Sequence, residues 1–283
     1  MTGVIEIRKD IALDPAVAPI LYRSKTITAS AMSCIDASRA WAGGGKTAGY
    51  SVGDLIKDLT YNDKSATVRG TAVYDGGGVK YTATAPTAGS PVIDLPDSFF
   101  LAATCKKVLL NFWVKVPSVY DTAGAAGARL LIGSAKSATV DPLRVSANAH
   151  IGILYNCNAA GSLNILQLNA FGTQVTSNMV DAAKAQAGKP LLISLYAYVN
   201  SSSKVVIRTY INGVAGADQI TATDWSVPAG TYVRAAVGNK GLVTGNDIAY
   251  TFYRAMINDL TSSTEDVATL VANEYNAYKA SFS

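Results

Sequence analysis

Apolar and polar positions along this chain fall into short runs broken by glycine, the pattern of β-strands and turns rather than of long helices. Ala66–Tyr74 and Val79–Thr84 flank Asp75-Gly76-Gly77-Gly78 and read as a hairpin. Lys107–Val116 (KVLLNFWVKV) begins almost continuously apolar and ends alternating, as expected of a strand in a sandwich core. Arg129–Gly133, His150–Tyr155 and Ser162–Asn169 continue the series. Leu191–Val199 and Lys204–Ile211 form the clearest pair, joined by Ser201-Ser202-Ser203 and followed by Asn212-Gly213, a positive-φ turn signal. In the second of these, Lys204, Val206, Arg208 and Tyr210 alternate with Val205, Ile207, Thr209 and Ile211, which predicts one wet and one apolar face. Val233–Gly238 and Ile248–Ile257 bring the total to about ten strands.

A single helix is predicted, at the C-terminus. Ser262 and Glu265 have capping-box spacing, and Val267, Leu270, Val271, Tyr275, Tyr278 and Phe282 follow on one helical face. The period says that this face docks on protein, its own sandwich or a neighbouring subunit. Residues 1–40 show neither helical period nor hairpin: Val4, Ile5, Ile7 and Ile11 precede Pro15 and Pro19. They read either as a first strand with a meandering connection or as an extended arm that packs on another subunit. The organisation expected is an arm over 1–40, a β-sandwich over 41–260 and a helix over 261–283.

Composition narrows the function classes. Among 283 residues, 24 Lys and Arg against 20 Asp and Glu leave +4, and only 16% are charged, against ~25% in typical domains. The basic residues are scattered, which argues against nucleic acid as a partner. Glu6, Asp10 and Asp14 interrupt any secretory core near the start, and the longest apolar stretch, Pro190–Val199, is about half a bilayer span. The expectation is a chain made in the cytoplasm with no membrane insertion. Cys34, Cys105 and Cys157 are too far apart for a metal knuckle and cannot all pair.

Catalytic motifs fail on context. Ala40-Trp41-Ala42-Gly43-Gly44-Gly45-Lys46-Thr47 matches a relaxed phosphate loop, but a polar, irregular segment precedes it and a poor helix start follows, so a glycine-rich loop is expected. A nucleophile–histidine site would have to use His150, the one histidine, which opens an apolar strand and reads as a strand-end residue. The three glutamates, Glu6, Glu265 and Glu274, lie in the arm and the terminal helix, away from any strand where a paired-carboxylate cleft would form. The chain is therefore expected not to be an enzyme and to need no cofactor. Asp75 and Asp247, beside turn glycines, are the candidate calcium ligands. Trp113 is assigned to the core; Trp41 and Trp225 lie near turns, and Trp225 follows Asp224, so Trp41, Trp225 and Asp224 are the candidate carbohydrate-binding residues.

Several segments, taken in order, resemble the concanavalin A-like (laminin-G-like) lectin and glucanase family. They are Trp41…Asp58-Leu59-Thr60…Asn62-Asp63…Ala66-Thr67-Val68-Arg69-Gly70, Val108–Val116, Val206–Gly213, Ala236-Val237-Gly238-Asn239, and Tyr253–Leu260 leading into Ser262–Glu265. The resemblance covers about residues 41–275 and implies an all-β jelly-roll sandwich of two antiparallel sheets. Such domains serve as lectins, as glucanases and as virion appendage or decoration modules of tailed phages. The paired glutamates of the glucanase branch have no match here. With low charge, the arm and the apolar helix, the resemblance implies a non-enzymatic bacteriophage structural protein: a tail fibre, neck or head decoration component of the virion. The expected assembly is a homo-oligomer, by analogy a trimer, contacting other virion proteins. The alternative expectation is a module that recognises a host surface glycan. Fold alone does not choose between them.

Overall fold

The computed structural model describes residues 24–39, 42–43, 48–60, 64–70, 72–75, 77–81, 92–117, 127–135, 149–157, 163–227, 234–238 and 250–282. Among them the chain forms eighteen strands, two α-helices and one 3₁₀ turn. The first half contributes β1 (Ala31–Asp36), β2 (Gly49–Tyr50), β3 (Leu55–Lys57), β4 (Ser65–Arg69), β5 (Ala72–Asp75), β6 (Gly78–Tyr81), β7 (Val92–Asp94), β8 (Lys107–Lys115) and β9 (Gly127–Ala135). Next come β10 (Ala149–Cys157), β11 (Leu163–Ala170), β12 (Thr173–Thr176), the short α1 (Val180–Lys184), β13 (Pro190–Val199) and β14 (Lys204–Ile211). The chain closes with β15 (Val214–Ala215), β16 (Gln219–Asp224), β17 (Arg234–Val237), β18 (Tyr250–Asp259) and α2 (Val267–Tyr278).

These strands make an all-β jelly-roll sandwich of two antiparallel sheets with one long C-terminal helix. Sheet A runs β15-β14-β13-β8-β18-β6-β5-β2, with β16 also on β14 and β1 also on β18. Sheet B runs β12-β11-β10-β9-β17-β7-β4-β3. Strand β18 is shared along its free edge: Tyr250–Phe252 pair with β6, and Arg254–Asn258 pair with β1. The segments that carried the family resemblance land on β4, β8, β14 with its turn, β17 and β18.

Two of the segment boundaries expected from sequence change in the fold. Ala66–Tyr74, read as one strand, is two: β4 lies in sheet B and β5 in sheet A. Gly70, at φ +76°, turns the chain from one sheet to the other in a conformation that side chains resist. The boundary after residue 40 also falls inside the sandwich, because Ala31–Asp36 is a strand with Cys34 and Ile35 fully buried. Asp58 fastens this strand: its carboxylate accepts from the Cys34 N–H at 3.0 Å and from the Ser33 hydroxyl, and also from the Thr60 N–H at 2.9 Å. Residues 1–23 lie outside the described residues.

The core has two compartments. Between the sheets, Val108, Leu110, Phe112 and Val114 of β8, Ile193 and Leu195 of β13 and Ile207 of β14 pack with Ile151 and Ile153 of β10 and Leu168 of β11. On the outer face of sheet A, Leu109, Trp113, Leu192, Tyr196, Tyr210 and Tyr253 pack with Val267, Leu270, Val271 and Tyr278 of α2 and with Phe282. The helix therefore docks on its own sandwich. Its cover explains why β8 is buried along seven consecutive residues: both faces of the strand are out of water, so alternation disappears. The face of β14 expected to be wet is corrected too: Val206 and Tyr210 are each 1% exposed, Tyr210 lying in the compartment under α2. Trp113 is buried as expected, but in the outer compartment, where it stacks on Tyr275 at 5.9 Å.

The N-cap also differs from the one predicted. Asp266 holds it, accepting from the Thr269 N–H at 2.8 Å. Glu265 turns back instead to take hydrogen bonds from Ser30, Thr28 and Ser263. Burial works against its charge, but these three donors hold its carboxyl below the usual range.

A buried ion cluster pins α2. Arg254 of β18 is fully buried; its Nε donates to Glu274 of α2 at 2.8 Å and its Nη1 to Asp36 of β1 at 2.9 Å. Its Nη2 donates to the Thr26 hydroxyl at 3.1 Å, and its guanidinium lies 4.5 Å from the Tyr278 ring centre. Trp113 Nε1 donates to the same Glu274 oxygen at 3.1 Å. Removing one partner strands the other charges in a medium where they cannot be solvated. Arg254→Leu is expected to destabilise the fold by about 3–5 kcal/mol. Urea unfolding of both proteins measures this, and a loss below about 1 kcal/mol would show that the cluster contributes little.

Candidate functional site

Where the helix begins, the outer face of sheet A re-emerges as a cleft. Tyr196 and Tyr198 of β13 are two residues apart and so project from the same face. Their rings stack at 5.0 Å with 22° between planes. Strand register sets Arg208 of β14 opposite Tyr196, and Lys107 of β8 opposite Tyr198. Glu265, Asp266, Val267 and Ala268 at the start of α2 close the other wall, and the cavity measures about 230 Å³. Asp218, in the loop between β15 and β16, reaches Arg208 with both oxygens, 2.7 Å from Nε and 2.8 Å from Nη2. It also accepts from the Tyr198 hydroxyl at 3.0 Å.

The cleft keeps its groups in fixed protonation states. Burial, with Tyr198 and Tyr210 beside it, pushes the Tyr196 phenol up to about 12. Burial and the bond to Asp218 raise that of Tyr198. Hydrogen bonds from Arg208 hold the Asp218 carboxyl below its ordinary value, and the bond to Asp218 raises the guanidinium in return. The cleft thus presents two neutral phenols beside a bidentate guanidinium–carboxylate pair. Two cations, Lys107 and Arg208, and two carboxylates, Glu265 and Asp266, line the cavity, and Asp218 adds a third carboxylate by pairing with Arg208.

Of the residues singled out from sequence, Trp225, Asp224 and Asp75 sit elsewhere. Trp225 is half-buried; its indole N–H donates to the Cys105 carbonyl at 3.0 Å, and Lys106 Nζ lies 5.4 Å from the ring centre. Its polar edge is thus spent within the fold, and a cation sits over the ring. Asp224 is next to it in sequence but pairs with Lys204 at 2.7 Å. Trp41 and Asp247 lie outside the described residues, as does most of the Ala40–Thr47 loop. Asp75 pairs with Gly78 across the β5–β6 hairpin through its backbone. Among the described residues no group of three or more His, Cys, Asp or Glu stands ready for a metal. His150 is fully buried in β10. Burial drives the Cys34 thiol well above its ordinary value and pushes Cys105 up to about 12, so neither is an activated nucleophile.

The tyrosine cleft had a sequence signal: Tyr196 and Tyr198 at strand spacing, in a strand predicted to pair with the one that carries Arg208. What hid it was Asp218, which enters from a loop, and the helix wall, which enters from the end of the chain.

No protein-family model matches the chain, and no curated sequence does. Solved structures do. The receptor-binding domain of botulinum neurotoxin C/D mosaic serotype superposes with a TM-score of 0.51 at 10% identity, covering 88% of this chain and 51% of that one. The binding domain of botulinum neurotoxin serotype G gives 0.50 at 13% identity, covering 87% and 50%. The receptor-binding domain of botulinum neurotoxin D gives 0.50 at 12%, covering 87% and 52%. The chain thus spans about half the length of these chains, and at such identities the likeness is one of fold. The fold is that of a jelly-roll β-sandwich.

The ion pair sets a pH dependence. Asp218 titrates lower folded than unfolded, so its contribution to stability is full above the unfolded value of ~3.9 and fades as pH falls through the depressed folded value. Carboxyl-carbon NMR is expected to place Asp218 below ~3.9, and Arg208→Ala to move it back up. An Asp218 that titrates normally in both proteins would show that the pair does not form in solution.

Proposed function

We propose that this chain is a non-enzymatic recognition module that binds a glycan in the Tyr196–Tyr198 cleft. The observation that carries this reading is the stacked tyrosine pair flanked by the bidentate Arg208–Asp218 pair. Aromatic rings accept the apolar face of a sugar, while guanidinium and carboxylate groups read its hydroxyls as fixed donors and acceptors. At about 230 Å³, the cavity falls below the roughly 300–1,000 Å³ of most ligand pockets. It suits one ring of a larger chain that continues into solvent. Three carboxylates against two cations disfavour an acidic sugar, so the ligand is a neutral saccharide. The neighbours named as receptor-binding domains lend this reading support by analogy of fold.

The virion-appendage reading rests on composition and on the arm. The C-terminal helix no longer speaks for it, because its apolar face is spent on the chain's own sheet. Glycan recognition is the stronger proposal, and an appendage that carries such a module satisfies both.

A glycan array probed with the full-length protein tests it. Neutral glycans are expected to bind, and sialylated or uronate-rich ones to bind weakly. Tyr198→Ala and Arg208→Ala should each lower affinity at least ~10-fold, about 1.4 kcal/mol, in a protein that stays folded by circular dichroism. Trp225→Ala should lower stability and leave affinity unchanged. Binding that survives both cleft substitutions would sink the assignment.

A further inference from the structure

Beneath α2 the floor of sheet A is not wholly apolar. Asn111 alternates along β8 with Leu109 and Trp113, and Ser194 alternates along β13 with Leu192 and Tyr196, all four apolar neighbours being packed in the compartment under the helix. Asn111 and Ser194 stand directly opposite each other in the ladder, and Asn258 of β18 stands opposite Leu109. Strand alternation therefore sets Asn111, Ser194 and Asn258 on the face that α2 covers. Glu274 descends on this face from the helix. None of the four is more than 1% exposed.

Their polar atoms are only partly used. Asn258 Nδ2 donates to the Ser30 hydroxyl at 3.1 Å, and Glu274 Oε1 takes Arg254 and Trp113. Among the described residues, Asn258 Oδ1, Glu274 Oε2, Ser194 Oγ and both Oδ1 and Nδ2 of Asn111 have no hydrogen-bond partner. An orphaned buried group carries its full desolvation penalty, larger for a carboxylate oxygen, and native folds hold few of them. Five on one face cannot be answered by lifting the helix, because Val267, Leu270, Val271, Tyr278 and Phe282 would go into water with it.

The chemistry of the set selects the ligand. Asn258 Oδ1, Asn111 Oδ1 and Glu274 Oε2 need donors, whereas Asn111 Nδ2 needs an acceptor. A metal cation answers only the oxygens and leaves the amide N–H orphaned. An apolar segment answers none. Water does both at once.

We propose that the joint between sheet A and α2 is a water-binding site, in which enclosed water bridges Glu274 to Asn111, Ser194 and Asn258. The helix is then held by a hydrated seam beside its apolar contacts, and the second oxygen of Glu274 is solvated inside the protein.

Crystals of the full-length protein grown in rubidium salt, at a resolution that places water, test this. Density within hydrogen-bond distance of at least two of the five atoms, without a rubidium anomalous signal, is the expected result. An anomalous peak there would assign a cation instead and overturn the proposal. So would a dry seam in which the side chains, or residues 1–23, satisfy one another. In solution, water-to-protein NOEs to the Asn111 side-chain amide protons are expected with long-lived water, and their absence would count against it.

Discussion

A guanidinium with no access to water is the constraint around which this molecule is arranged. Arg254 is fully buried, and its hydrogen bonds come from three separate parts of the chain: Thr26 and Asp36 near the start, Met256 two residues along its own strand, and Glu274 near the end. A buried charge is tolerable only when paired and hydrogen-bonded. The first strand and the last helix therefore have to be in place together, although they are the most distant pieces of the described chain. Arg39, half-exposed and 3.9 Å from Asp36, completes a set of two cations and two carboxylates. The cluster gives little net stability compared with a well-packed apolar alternative. A helix set down in another register would leave Arg254 and Asp36 unanswered.

Around that cluster, sheet A is buried on both faces over most of its central strands, by sheet B within and by α2 without. A sheet covered on both sides does not keep strict alternation, which is why β8 and β13 read as nearly continuous apolar runs. The same cover defines the proposed recognition site. The helix shields the apolar part of the outer face and stops at Asp266, and there Tyr198 and Arg208 come back toward solvent beside its first turn, with Tyr196 buried behind them. The cleft is the margin of a covered surface, with one wall from a sheet and the other from a helix end.

Reading the sequence for exposed aromatic residues near turns led to Trp225 and Asp224, which the fold places apart from the tyrosine cleft. A tryptophan near a turn is equally suited to closing the end of a sandwich, and its indole N–H needs an acceptor either way. Here the Cys105 carbonyl, from a strand entry 120 positions away, takes that bond. Tyr196 and Tyr198 were visible as strand residues on one face, but one-sided patterning does not reveal whether a wet face is free or covered. The carboxylate that pairs with Arg208 and Tyr198 comes from a loop, and loop approach has no period.

The sequence by itself determined the fold class, most of the long strands, the hairpin turns and the C-terminal helix, because each rests on local spacing: period two, period 3.6, and residues that accept positive φ. It also pointed to the jelly roll through an ordered set of short motifs. Tertiary structure alone decided which sheet each strand joins, as Gly70 shows in sending β4 and β5 to opposite sheets. It decided that Asp266 rather than Ser262 caps α2, since Ser30 and Thr28, far away in sequence, draw Glu265 out of the box. It decided as well that Glu274, an ordinary helical glutamate in sequence, is a buried counter-ion. These outcomes depend on contacts between residues tens to hundreds of positions apart, where long-range packing and charge pairing outweigh local preference.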